Sequence, residues 1–267
     1  MKRKKVDKSP VVLVLIILLV FSLLFVLTDK YNQKNSSKKK DKKVSNVLEK
    51  KKNEKENYNL KTGEEIVGKS KNNKLITKYM GAYYVDGVMI VNKSYPLDAT
   101  YEPVDPYKPI TSDYLYGGDY LDKTVMENFL KMKEDAKKLG YDFWLSSGYR
   151  SYKVQVDLYN NYVNRDGKDA ADTYSARPGY SEHQSGLCFD MNGTNSNFLN
   201  TEAGKWTNEH LTDYGFILRF PEGKEDETGY EFEAWHYRYV GVDLAKKLYN
   251  NGNWISLESY LGVDSKY

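Results

Sequence analysis

The sequence predicts an α+β fold, a small mixed sheet with flanking helices, preceded by one transmembrane helix. Three observations predict it. Short apolar runs of strand length and longer stretches with helical spacing follow one another without βαβ alternation. An uncharged stretch of 18 residues stands near the N-terminus. No internal repeat is apparent. With 267 residues the chain is long enough for one ordinary domain plus appendages.

Residues 11–28 read VVLVLIILLVFSLLFVLT, and a helix of that length spans roughly 27 Å, close to the hydrocarbon thickness of a bilayer. Lys2, Arg3, Lys4, Lys5 and Lys8 precede it, so residues 1–10 are expected to stay in the cytoplasm as a basic tail. A cleaved signal peptide would end in a small-x-small site, which Thr28-Asp29-Lys30 does not offer. A lipoprotein would need a cysteine just after the apolar run, and the single cysteine is Cys188. The segment is therefore expected to be an uncleaved anchor in the cell membrane, with the rest of the chain outside. Residues 29–73, lysine-rich and poor in large apolar side chains at their start, are expected to form a disordered basic tether. Residues 74–267 are expected to be the folded domain.

Within it, Tyr83–Asn92 reads as a hairpin around Asp86-Gly87. Residues 96–109 are turn-rich and expected to be an ordered surface connection. Asp122-Lys123-Thr124 opens a helix through Lys138, with Val125, Phe129, Met132 and Ala136 at helical spacing and Gly140 as the stop. Phe143–Ser146 reads as a buried strand. A second helix is expected from Ser151 to Val163, with Val154, Leu158 and Tyr162 on one face, followed by a long loop through Arg177-Pro178-Gly179. Leu187–Met191 reads as a strand and Glu202–Tyr214 as a helix closed by Gly215. Phe216–Phe220 and Tyr230–Trp235 read as strands, and Gly241–Asn250 as a closing helix.

Charge is segregated. Residues 1–58 hold 16 Lys and Arg against 6 Asp and Glu, and 59–267 hold 24 against 31, so the tail is basic and the domain acidic. That balance argues against a nucleic-acid partner for the domain. A single cysteine excludes an intrachain disulfide. The 25 tyrosines favour a packed core and a groove lined with polar-tipped rings.

The chain has three histidines, and two stand in segments suited to a metal. Ser181-Glu182-His183-Gln184-Ser185-Gly186-Leu187-Cys188-Phe189-Asp190 offers an imidazole and, at a strand end, a carboxylate. Glu233-Ala234-Trp235-His236 offers a second imidazole and a second carboxylate. His183, Asp190 and His236 make a three-ligand set for one Zn2+ that leaves a coordination position open, and Glu233 is free to act as general base. In a regular strand, residues three apart face opposite sides, so this reading requires a turn or bulge near Trp235. The spacing is not the helical HExxH pattern. His210, on an amphipathic helix, reads as a surface residue. Cys188 shares a strand face with Asp190; a ligand role is open to it, but a small buried hydrophobe is the simpler reading.

These segments resemble those of the VanY-type D-alanyl-D-alanine carboxypeptidases, metallopeptidases of the LAS group. Ser181 through Asp190 matches SxHxxGxAxD, with Cys188 in the alanine position. Glu233 through Gly241 matches ExWHxRYVG, with Ala234 where proline is common. Ser147-Gly148-Tyr149-Arg150-Ser151 and Gln155 match SGYRSxxxQ. The resemblance implies a LAS/hedgehog-like fold with the zinc site at the sheet. It implies zinc on His183, Asp190 and His236, Glu233 as the catalytic base, and Arg150 as the cation facing the carbonyl oxygen or the substrate carboxylate. It also implies Gln155 and Ser181 as substrate contacts. The implied activity is removal of the C-terminal D-alanine from peptidoglycan stem peptides. Cleavage of the L,D bond of tetrapeptide stems, or a non-catalytic wall-binding module, are the alternatives. A monomer is expected.

Overall fold

The computed structural model describes residues 30, 58–107 and 120–267. The chain divides into two compact units, Met1–Lys61 and Thr62–Tyr267, and the second carries the strands and helices below. The expected cytoplasmic tail, the anchor at 11–28 and the tether up to residue 57, residue 30 excepted, lie outside the described residues. Among the described residues no helix is long and apolar enough to cross a membrane.

Strands β1 (Glu65–Lys69), β2 (Leu75–Tyr79), β3 (Ala82–Val85) and β4 (Val88–Ile90) form an antiparallel meander. The β3–β4 turn is the expected Asp86-Gly87, both at positive φ (52° and 81°), as a two-residue hairpin with the twist of its strands requires. Strand β1 corrects the expected boundary: it lies within the 29–73 stretch assigned to the tether, and the folded unit begins at Thr62 rather than Lys74. Its residues alternate exposed and half-buried, so it is held by its ladder to β2 more than by apolar content, which composition alone does not register.

A two-stranded ribbon of β5 (Pro106–Tyr107) and β6 (Leu121–Asp122) leads into helix α1 (Lys123–Lys138). Asp122 caps α1 by accepting from the Thr124 N–H at 3.0 Å. Val125, Met126, Phe129, Met132 and Ala136 form its buried stripe. Next come β7 (Leu145–Ser147), α2 (Tyr152–Asp166) and α3 (Lys168–Tyr174), then β8 (Cys188–Met191), α4 (Glu202–His210) and β9 (Phe216–Leu218). The unit closes with α5 (Glu225–Thr228), β10 (His236–Tyr239), α6 (Val242–Tyr249) and α7 (Leu257–Leu261).

The second four-stranded sheet runs β7-β8-β10-β9, and all its pairs are antiparallel rather than mixed. Strand direction depends on where the intervening helices return the chain, which local pattern does not encode. One face of this sheet is apolar: the Phe189 ring centroid lies 4.9 Å from Phe129 of α1, 5.1 Å from Phe216 and 5.8 Å from Tyr237. Each such ring, once buried, contributes about 1.5–3 kcal/mol. The other face carries Asp190, His236, Cys188 and Arg238.

Three expected elements differ. Residues 230–235 are irregular, and the strand begins at His236. There Glu231 N donates to Thr173 O and Glu233 N to Phe220 O, single bonds to separate partners rather than a ladder. The loop after α2 contains α3. The buried residues of α2 are Gln155 and Tyr159; Val154 is half exposed, while Leu158 and Tyr162 line the cavity over the sheet.

Candidate metal centre

Asp190 and His236 are direct cross-strand partners in the β8–β10 ladder. Pairing fixes their separation before any side-chain choice is made. Ala234 and Trp235 form a turn just before β10, which supplies the break that the Glu233–His236 spacing demands. Tyr237 Oη donates to Ala234 O at 2.7 Å and pins that turn.

His183 arrives on a single 3₁₀ turn, Glu182–Ser185. Gly186 ends this turn at φ 72° and delivers the chain into β8. A Cβ there would meet Pro103 Cγ at 2.8 Å, so both conformation and space call for glycine. The turn is locked to the loop after β7. His183 Nδ1 lies 2.7 Å from Gly148 O, and Arg150 N donates to His183 O at 3.1 Å. With Nδ1–H committed to that carbonyl, Nε2 presents its lone pair to the pocket.

The donors converge. Asp190 Oδ2 lies 3.5 Å from His183 Nε2, and Asp190 Oδ1 lies 3.2 Å from His236 Nδ1. Ligands at 2.0–2.1 Å on a tetrahedral metal sit about 3.3 Å apart, so these spacings fit a zinc ion. Glu233 Oε2 lies 3.4 Å from His236 Nδ1. Donor atoms of Asp190, Glu233 and His236 lie within 4.8 Å of one another, as do those of His183, Cys188 and His236. Asp190 Oδ1 is buried without a hydrogen-bond partner, as expected where a cation completes the set.

Charge at the site follows from burial. Desolvation pushes the Glu233 carboxyl up to about 7, helped by the charge of Asp190 and opposed by the two histidines. Burial opposes ionisation of the Cys188 thiol, but His183 and His236 outweigh it and bring it down to about 7. Asp190 is held well below the usual carboxylate range, again against its own desolvation, chiefly by His183.

Over the centre lies a cavity of about 250 Å³. Arg150, Tyr174, Tyr180, Ser181, Tyr230, Glu233 and Trp235 are among its lining. A pocket with two imidazoles, a carboxylate ligand, a buried carboxylate of raised pKa and a guanidinium suits metal-assisted hydrolysis.

The sequence profile of the VanY D-alanyl-D-alanine carboxypeptidase family matches residues 118–242. The D-alanyl-D-alanine carboxypeptidase of Enterococcus faecalis is 31% identical over 186 residues; the match covers 66% of each, so the chain spans just under two thirds of that relative's length. A solved structure of the LdcB LD-carboxypeptidase is 38% identical, with a TM-score of 0.59, covering 72% of this chain and 97% of that one. A variant of the vancomycin-resistance D,D-pentapeptidase VanY, solved with Zn(II), is 31% identical with a TM-score of 0.54, covering 64% and 97%. The chain belongs to the VanY family.

The VanY segments now have physical reasons. SGYRS supplies the loop that clamps His183, and Ser147 Oγ accepts from Arg150 at 3.1 Å. Gln155 is corrected: it does not face the groove. It is 1% exposed, accepts from Arg150 at 2.9 Å and donates to Ala176 O at 2.6 Å, so it aims Arg150 rather than touching substrate. Ser181 does line the cavity. His210 is partly exposed and faces Asp213, away from the VanY centre.

Sequence reasoning missed the buried charges behind the VanY centre. Glu182 Oε1 accepts from Arg219 Nε and from an Arg238 guanidinium N–H, each at 2.8 Å, and Glu182 Oε2 faces His236 Nε2 at 3.5 Å. Arg219 also makes a two-pronged pair with Glu258 of α7, at 2.6 and 2.8 Å. All four residues are at most 4% exposed. Burial alone would raise the Glu182 pKa, but Arg219 and Arg238 hold it well below the usual range. A signal was present: period-2 alternation places Arg238 on the same strand face as His236.

Proposed function

We propose that this chain is a zinc carboxypeptidase that removes the C-terminal D-alanine from peptidoglycan stem peptides. The observation that carries the reading is Asp190 bridging His183 Nε2 and His236 Nδ1 at metal-ligand spacing, with the Glu233 carboxylate beside them. His183, Asp190 and His236 hold one zinc ion, which when bound supplies Lewis acidity that polarises the scissile carbonyl and acidifies water. Glu233 takes a proton from the attacking water as its oxygen bonds the carbonyl carbon, and hands that proton to the amine as the C–N bond breaks. The Arg150 guanidinium, held by Ser147 and Gln155, presents its free N–H groups to the developing oxyanion or the terminal carboxylate. Residues 11–28 anchor the protein in the cell membrane, with residues 1–10 in the cytoplasm and the domain outside, as a monomer.

One observation favours a second reading. The LdcB LD-carboxypeptidase structure is 38% identical to this chain and the D,D-pentapeptidase structure 31%, so the L,D bond of tetrapeptide stems is the competing substrate. Digestion of pentapeptide and tetrapeptide stems with and without chelator, read by mass, decides between them. Chelator-sensitive loss of one alanine from the pentapeptide is the expected result. Loss from the tetrapeptide alone moves the assignment to the L,D bond, and no cleavage of either sinks the enzymatic reading.

A further inference from the structure

One wall of the cavity is a connection without regular structure. Residues 175–181, between α3 and the 3₁₀ turn that carries His183, contribute Ser175, Ala176, Tyr180 and Ser181 to the lining. A segment with no helix or ladder of its own takes its shape from bonds with the rest of the chain. Gln155 Nε2 donates to Ala176 O at 2.6 Å, and Leu97 N donates to Gly179 O at 2.8 Å. Tyr267 adds to these. Its Oη accepts from the Arg177 N–H at 2.8 Å, and the Arg177 guanidinium lies 3.7 Å from the centre of its ring. The same ring meets Tyr180 edge-on, with centroids 5.2 Å apart. Arg177 is fixed from its other side by Asp172 of α3, at 2.7 and 3.1 Å. The segment that bears Tyr267 is itself tied down: Lys266 N donates to Ser94 Oγ, which donates to Lys266 O, both at 2.9 Å. Between them, Lys93 Nζ lies 5.3 Å from the centre of the Tyr267 ring and 4.4 Å from that of Tyr230, another residue of the cavity.

The cavity is longer than one residue of substrate. Leu158 and Tyr162 of α2 line it, and Tyr162 lies seven residues beyond Gln155, about 10 Å along the helix. A carboxypeptidase needs room for one residue past the scissile bond, roughly 3.3 Å of extended chain. The remaining length receives residues on the other side of that bond. We propose that Tyr267 is a positioning residue for the substrate: by holding Arg177 and Tyr180 it sets the 175–181 wall against the part of the stem peptide upstream of the cut. The inference rests on the carboxypeptidase reading above and adds to it a determinant of substrate length. Tyr267 is 41% exposed, so its packing adds little to the core, and its contacts converge on this wall.

Two peptides with the same scissile bond test this role in the full, zinc-loaded chain: the complete stem, and an N-acetylated fragment of its last three residues. In Tyr267→Ala the KM for the complete stem is expected to rise about tenfold, with kcat within about twofold of the parent. The KM for the short fragment is expected to rise less than about threefold, because the fragment reaches little of the wall. Tyr267→Phe, which keeps the ring over Arg177, is expected to recover most of the loss. Zinc content and the unfolding midpoint are expected to match the parent in both variants. An unchanged KM for the complete stem overturns the positioning role and leaves the carboxypeptidase reading standing. An equal rise for both peptides, or a loss accompanied by a lower zinc content or midpoint, overturns it as well, because Tyr267 is then a general prop. Failure of the parent chain to cleave either peptide overturns both readings together.

Discussion

Glu182 and Glu233 lie on either side of His236, and both carboxylates are nearly enclosed, with side chains 2% and 15% exposed. Their surroundings drive them apart. Glu182 meets two guanidinium groups at 2.8 Å and stays ionised against its own desolvation. Glu233 has no such pair, so desolvation dominates and its pKa climbs to about 7. Burial is common to both; the presence of a hydrogen-bonded cation is what differs. The first arrangement fixes a charge permanently and makes scaffold. The second leaves a proton exchangeable near neutrality, the property that the proposed role of Glu233 as base requires.

The comparison breaks most visibly in turnover. Glu233→Gln removes the exchangeable proton site and is expected to lower kcat by about 10²–10⁴, with zinc content by metal analysis unchanged. Normal turnover would remove Glu233 from the mechanism. The scaffold side is tested by stability. Glu258→Gln weakens one of the two carboxylates serving Arg219, and Glu258→Ala removes it; breaking a buried pair this way costs about 3–5 kcal/mol, read by denaturant unfolding. An unfolding midpoint equal to that of the parent chain would show that the network carries no load. Arg150→Met is expected to lower kcat/KM by about 10²–10³ and leave the unfolding midpoint near the parent value.

A pH series sharpens the contrast in the metal-free protein. Glu233 ionises near 4.5 when unfolded and near 7 when folded, so between those values the unfolded state binds fewer protons and stability falls as pH rises. Glu233→Gln removes that fall, so its melting temperature gains on the parent between pH 5 and pH 8. Glu182 has the opposite sign: its contribution is present above its ordinary value of 4.5 and is lost only as pH falls through its depressed folded value. An equal gain for Glu233→Gln at both pH values would reject the raised carboxyl. The smallest effect belongs to the exposed Lys71–Asp264 pair, whose side chains are 67% and 56% exposed. Lys71→Ala is expected to leave the melting temperature unchanged within error.

Much of the centre was legible because it lies at element ends with short-range signatures. His183, Asp190 and His236 each sit at a turn or strand end, and Asp122, Ser151 and Gly186 mark their boundaries by local chemistry that works without tertiary help. Gln155 was legible as a motif residue but not in its role, because its direction on α2 follows from how that helix packs. Val154 has the apolar chemistry of a core residue and lies exposed, while the polar Gln155 is buried. Strand β1 escaped notice because its partner ladder, not its composition, orders it. Arg219 and Glu258 are 39 residues apart and meet only in the folded chain, so no local pattern announced the pair.

The charge circuit behind His236 is closed from both directions of the chain. Asn92, soon after β4, donates to Glu258 Oε1 at 3.0 Å and to Asp264 O at 3.1 Å, and Glu258 in turn holds Arg219. Every other charged side chain of the circuit, Glu182, Arg219 and Arg238, precedes Glu258 in the chain. A polypeptide cut short by a nonsense codon or a protease just before α7 would keep His183, Asp190, Glu233 and His236, and still leave Arg219 a partner short. Glu258 thus ties the setting of the His236 imidazole, through Arg219 and Glu182, to a helix that follows the whole candidate centre in the chain.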